Sequence, residues 1–218
     1  MSKSATESSR VKEQKAEALF QAVGALKRGE VIAFPTETLY GLGADALNAA
    51  AVEKVFQLKG RDRANPIPVL IADRGMLSGL VSVVPQLAEK LIDRFWPGPL
   101  TLVLPARRAI PPPLVNAEGG VGVRISSQPI ANELVQALGH PLTATSANPS
   151  GRPAARTVQE AREYFSGQID VFIDGGPLHS KAGSTVVEIV GDLIKIIREG
   201  DIAGSQIKET LGRERILP

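Results

Sequence analysis

The firmest topological constraint in the chain lies near its end. "STVVEIV" (184–190) and "LIKIIRE" (193–199) are two β-branched, apolar runs separated only by Gly191 and Asp192. A Gly-Asp pair between such runs signals a short β-hairpin, because glycine supplies the positive φ of a two-residue loop. The upstream pattern is different. "VIAF" (31–34), "IPVLIA" (67–72), "LTLVLP" (100–105), "VGVRIS" (121–126), "PLTATS" (141–146) and "DVFID" (170–174) predict strands, and helical segments separate most of them. Ala16, Leu19, Phe20, Val23 and Leu26 recur at helical spacing until Gly29. Residues 48–58 predict a helix capped by Asn48, 85–96 one with Pro85 in its first turn, 129–139 one closed by Gly139, and 157–165 one capped by Thr157. Pro66 and Pro68 place the 67–72 segment at a sheet edge or at the start of a strand. Strand–helix alternation followed by a hairpin excludes a purely parallel sheet. It predicts an α/β fold with a mixed sheet and flanking helices. Residues 1–10 are expected to be a flexible tail, and 11–218 a single domain.

Composition narrows the chemistry. The 218 residues include no cysteine, which excludes disulfides, thiolate nucleophiles and Cys-ligated zinc. His140 and His179 are the only histidines, and both sit in loop-like contexts that suggest no ligand role. No apolar run approaches membrane-spanning length, and the polar start "MSKSATESSRVKEQK" lacks the core of a secretory signal, so a cytoplasmic location is expected. A formal net charge of +2 with a pI near 9.0 permits phosphate or weak RNA contact without arguing for it. Aromatic stacking platforms for RNA are scarce, with one Trp, two Tyr and six Phe in the chain.

Several segments carry candidate chemistry. In "FPTETLYGLGADA" (34–46) Thr36, Glu37 and Thr38 fall at the C-terminal end of a strand, where open α/β sheets bind ligands. A polar turn accounts for the same residues. "GLGADA" lacks the third glycine of a dinucleotide fingerprint, and no phosphate-binding Walker sequence occurs, so side chains must hold any nucleotide. Lys59, Arg61 and Arg63 crowd a short stretch. On an extended segment Lys59 and Arg61 face one side and could grip one polyphosphate, although a solvated loop also explains them. "TATSANPSG" (143–151) offers the Ser146 hydroxyl and the Asn148 amide to phosphate or metal-bound water, or simply an Asx/Ser turn. Arg124 interrupts an apolar strand and needs a carboxylate from the protein or a ligand. Arg198 poses the same question at a strand end, with Glu199 as the simple partner. Ser184 follows Gly183 at the start of a strand, and Trp96 reads as a core anchor.

Taken in order, "FPTETLYGLGADA", "KGR" followed by "NPIPVLIA", "FWPGPLTLVL", "VGVRIS", "TSANPSG" and "STVVEI" resemble the YrdC-like family of threonylcarbamoyl-AMP synthases over residues 14–202. The resemblance implies a twisted α/β domain around a concave basic cleft. It implies condensation of L-threonine, bicarbonate or CO2, and ATP (with Mg2+) into threonylcarbamoyl-AMP and pyrophosphate, and partner proteins that pass the threonylcarbamoyl group to tRNA. By the same resemblance Lys59 and Arg61 match a phosphate grip, with Asn65, Ser146, Asn148 and Arg198 near the nucleotide. Ser146 and Asn148 lie near Mg2+, and Thr36, Arg124 and Ser184 fall in threonine-holding segments. Related domains handle carbamoyl-adenylates in hydrogenase maturation, within much longer chains. Leu70 stands where some relatives carry a histidine, and an end at Pro218 matches the short form, whose lid is expected from elsewhere.

Overall fold

In the computed structural model, which describes residues 3–180, 182–212 and 216–217, helix α1 (Lys3–Lys27) leads into β1 (Ile32–Pro35), β2 (Tyr40–Gly43) and α2 (Ala49–Lys59). Next come β3 (Val69–Leu70), the single-turn α3 (Leu77–Leu80), α4 (Gln86–Phe95), β4 (Leu100–Pro105) and β5 (Gly120–Arg124). After α5 (Pro129–Leu138) follow β6 (Leu142–Thr143), β7 (Thr145–Ser146), α6 (Val158–Phe165) and β8 (Val171–Phe172). The chain then forms β9 (Thr185–Val190), β10 (Leu193–Arg198) and α7 (Gly204–Leu211).

Local signals set most helix ends. The Asn48 side chain accepts the Ala51 amide, Gly60 closes α2 in the left-handed region, and Thr157 accepts the amide of Glu160. Helix α1 departs from expectation. Residues 3–10, expected as a tail, extend the helix instead, since "KSATESSR" holds no glycine or proline to stop it. Residues 1 and 2 of that expected tail lie outside the described residues.

The strands form two mixed sheets, where the sequence predicted one. The first has the order β7-β2-β1-β8, and the second β10-β9-β4-β5-β3-β6. Their junction is the segment 142–146. Strand β6 pairs antiparallel with β3 in the second sheet, and one residue later β7 pairs antiparallel with β2 in the first. At this corner the Thr143 amide donates to Ala44 O (2.9 Å), its hydroxyl accepts the Ala44 amide (2.8 Å), and the Ala144 amide donates to Pro68 O (2.9 Å). Strand β3 therefore lies between β5 and β6, not at an edge. Pro66 and Pro68 sit before it, where no ladder amide is needed.

Strand β2 was not predicted, because "YGLG" reads as a turn. In the structure β1 and β2 close into an antiparallel hairpin, with the Phe34 ring against both glycines and in the room that a side chain at 43 would fill. Helix α7 also escaped the sequence reading. The apolar residues of α1 and α5, including Leu26, Leu134 and Val135, pack on Ile32 and Phe34 of β1. Tyr40, Leu42, Val55, Phe56, Val69, Val123 and Val187 belong to the larger core. Trp96 is an anchor as expected, 8% exposed with its indole N–H donated to Leu100 O (2.7 Å).

The close approach at Gly43 is testable. A Cβ there would stand 2.8 Å from Phe34 Cε1 and 3.2 Å from Leu142 Cδ1, so Gly43→Ala overpacks the hairpin. The expected loss is about 1–3 kcal/mol, read as a lower urea midpoint with an unchanged m-value.

Candidate active site

A cleft of about 100 Å3, open to solvent, lies where the C-terminal ends of β1 and β5 meet the start of β9 and the end of β10. Thr36, Thr38, Leu39, Tyr40 and Gly41 line it from the first hairpin, Ser146 from β7, and Gly183 and Ser184 from the approach to β9. Three guanidinium groups reach it, those of Arg61, Arg124 and Arg198. Another cavity, lined by Glu30, Lys54, Gln57, Gln168 and Asp170 among others, is roomier but sets one cation against two carboxylates.

Each arginine is oriented by main chain or by a carboxylate. Arg61 follows the helix cap at Gly60, and its Nε donates to Asn65 O (2.7 Å). Arg198 donates from Nε and Nη2 to Ser184 O (3.2 and 2.8 Å) and from Nη2 to Ser184 Oγ (3.2 Å). Glu199 is not its partner among the described residues. The register of β10 slips at Ile197, between Ile196 and Arg198, a bulge that aims Arg198 at the cleft mouth. Arg124 is 5% exposed, and its Nη1 lies 3.1 Å from Glu37 Oε1. The protein thus supplies the carboxylate that Arg124 required. Burial lowers all three guanidinium pKa values. Arg198 lowers Arg61 further and Arg124 lowers Arg198, whereas Glu37 and then Asp201 oppose the effect on Arg124.

Lys59 behaves otherwise than predicted. It is the last residue of α2, not part of an extended segment, so helical geometry turns it away from Arg61. It is 3% exposed and outside the cleft lining. Its ammonium donates to Ser146 O, to Asn148 O (2.7 Å) and to Asn148 Oδ1 (3.2 Å), while the Ser150 amide donates to Lys59 O (2.8 Å). Lys59 therefore fastens the 146–150 loop. Burial first, and Arg61 second, bring its pKa down to about 7.

Asn148 is spent on the same loop. Its amide N–H groups donate to Pro149 O (3.1 Å) and Arg152 O (2.5 Å), and its oxygen receives Lys59. Asn65, expected at the nucleotide, is exposed and contributes its carbonyl to Arg61, because residues 62–65 fold as a turn. Thr36 lines the cleft, but its hydroxyl also closes the hairpin turn, donating to Leu39 O (2.8 Å) and accepting the amides of Thr38 and Leu39 (3.2 Å each). Ser184 Oγ meets Thr101 Oγ1 at 3.0 Å. Sequence reasoning assigned no role to Tyr40, whose hydroxyl donates to Gly176 O (2.8 Å) and accepts the Gly175 amide (3.0 Å). Ser126 was also missed, although its place two residues beyond Arg124 on the strand was a usable signal. Leu70 is 1% exposed in the α1/α5 core and does not line the cleft.

A divalent cation finds little purchase on the protein itself. Among the described residues no cluster of three His, Asp or Glu side chains could hold a metal. Ser146 offers one hydroxyl, and Asn148 is committed elsewhere.

A family model described as "Telomere recombination", covering Sua5, YciO and YrdC proteins, matches residues 24–200. The chain belongs to the Sua5/YciO/YrdC family. It is 39% identical over 197 residues to a Pyrococcus abyssi threonylcarbamoyl-AMP synthase, covering 90% of this chain and 58% of that protein. It is 38% identical over 200 residues to a putative threonylcarbamoyl-AMP synthase of Mycobacterium tuberculosis H37Rv, covering 92% of each. The crystal structure of P. abyssi Sua5 complexed with L-threonine superposes with a TM-score of 0.88 at 38% identity, over 94% of this chain and 60% of that one. Escherichia coli YciO superposes at 0.78 with 27% identity, over 87% of this chain and 91% of that one. The mixed two-sheet architecture is thus that of the family.

The depressed Lys59 pKa gives a stability prediction with a definite sign. Between about pH 7 and 10.5 the unfolded chain keeps a proton that native Lys59 has lost, so its contribution to stability rises with pH. Below about pH 7 both states hold the proton and the contribution is flat. Denaturant titrations should show this rise in the wild type after subtraction of Lys59→Met, whose difference curve removes the other titrating groups.

Proposed function

We propose that this protein forms threonylcarbamoyl-AMP and pyrophosphate from L-threonine, bicarbonate or CO2, and MgATP, and that downstream transfer proteins deliver the threonylcarbamoyl group to tRNA. The observation that carries this reading is the convergence of three guanidiniums, the buried one of Arg124 and the more accessible ones of Arg61 and Arg198, on one cleft lined by hydroxyls and carrying no histidine. Such a cleft neutralises a highly charged anion and positions reactants, but it offers no nucleophile of its own beyond hydroxyls. The relatives named threonylcarbamoyl-AMP synthases, and the threonine complex of P. abyssi Sua5, support the same reading.

The chemistry suits these side chains. The threonine amine attacks CO2, forming an N–C bond and losing a proton to solvent. The carbamate oxygen then attacks the α-phosphorus of ATP, the bond to the β-phosphate oxygen breaks, and pyrophosphate leaves. Phosphoryl and nucleotidyl transfers of this kind depend on alignment and on stabilising charge spread over the phosphate oxygens. Arg61 and Arg198 hold the phosphates, with magnesium arriving on the ATP. Arg124 takes the threonine carboxylate in a charge-assisted bond. Thr36 and Ser184 offer hydroxyls to the amino acid, and Ser146, on the loop that Lys59 fastens, faces the nucleotide. Lys59 contributes by fixing that loop.

The test is pyrophosphate release from ATP, which should require both L-threonine and bicarbonate. Release that is indifferent to either one rejects the reading. Arg61→Ala should weaken ATP binding by about tenfold or more, the loss of one charge-assisted pair, with thermal stability retained. Calorimetric titration of ATP reads the change.

A further inference from the structure

Glu37 is the only carboxylate paired with a cleft arginine among the described residues. Its side chain is 13% exposed and is not part of the cleft lining. The Ser126 hydroxyl donates to Oε2, so the carboxylate is held between two residues spaced i and i+2 at the end of one strand. Oε1 lies 3.1 Å from Arg124 Nη1, yet the pair is not aligned as a hydrogen bond. Both atoms are buried and neither has a hydrogen-bond partner among the described residues. Arg124 thus has its charge offset, yet none of its guanidinium N–H groups is committed to a hydrogen bond among the described residues. Arg61 and Arg198 differ. They are oriented by neutral oxygens of Asn65, Pro66 and Ser184, which leave their charge uncompensated.

The cleft is therefore divided electrostatically. One end carries two guanidiniums with full positive charge. The other carries one guanidinium largely neutralised by Glu37, with Asp201 adding to the effect. A polyanion gains most from the uncompensated end, since Coulomb attraction grows with local charge. A single carboxylate needs only one well-placed donor, which Arg124 retains.

We infer that Glu37 is a specificity-determining positioning residue, whose charge reserves Arg124 for the carboxylate of the amino acid and keeps the polyphosphate at the Arg61/Arg198 end. This rests on the proposed function and deepens it. The role is exerted through Arg124 and involves no contact with substrate.

The experiment measures L-threonine binding by calorimetry without ATP or bicarbonate, in the presence and absence of saturating sodium tripolyphosphate. In wild-type protein the two should bind side by side, with the threonine Kd changing less than about twofold. In Glu37→Gln, which keeps the shape and the Ser126 hydrogen bond but removes the charge, tripolyphosphate should spread to Arg124 and raise the threonine Kd by about tenfold or more. Glu37→Asp, which restores the charge, should recover most of the wild-type independence. Ser126→Ala, which only loosens the carboxylate, should show interference of intermediate size and carries the test should Glu37→Gln fail to fold. Independence unchanged in the folded variants, or competition already present in the wild type, overturns the inference. Failure of wild-type protein to bind threonine at all would instead overturn the functional reading beneath it.

Discussion

A buried ammonium group holds the site together. Lys59 ends helix α2, and its three N–H donors meet three oxygens of the 146–148 loop. A lysine this deep is costly unless every proton is satisfied, and here the acceptor count matches the donor count. The loop it fastens is also the corner where the chain steps from one sheet into the other. One side chain therefore ties together a helix end, a sheet junction and the hydroxyl of Ser146. Arg61, two residues farther on, takes its position from the same anchored turn.

Across the cleft the logic is reversed. Arg61, Arg124 and Arg198 are brought near one another although their charges repel, and each loses hydration as well. Two apolar cores, one under α1 and α5 and one centred on the strands of both sheets, maintain this arrangement. Carbonyl oxygens and a single carboxylate direct the guanidiniums without cancelling them all. Such local conflict between folding preference and observed placement is common at binding sites, where a ligand relieves it. A triphosphate and an amino-acid carboxylate are anions of the right kind to do so.

The strands at 100–105, 121–126 and 184–199, the caps at Asn48 and Thr157, and the glycine stop at 139 were legible because each depends on residues a few positions apart. Strand β2 was not legible. Its glycines argue for a turn until the Phe34 ring is seen to occupy the space above them. The position of Lys59 was misjudged for a related reason. The helix runs one residue beyond the predicted 58 and caps at Gly60, so Lys59 stands on a helix end and not on an extended segment, with its ammonium against the 146–148 loop. Local pattern also gave no sign that the Asn148 side chain braces its own loop or that the Asn65 carbonyl orients Arg61.

By itself the sequence determined the chemistry on offer: arginines and hydroxyls, no thiol, two loop histidines, and a mixed α/β frame in which to set them. Periodicity and composition carry that much because they reflect local backbone preference and the burial of apolar faces. Which cation lines the cleft, which braces a loop and which is offset by a carboxylate was decided only in the tertiary structure. Those roles depend on distances between residues 59 and 148, 37 and 124, and 184 and 198, far apart in the chain. Electrostatic attraction and desolvation act through space, so no local pattern records them.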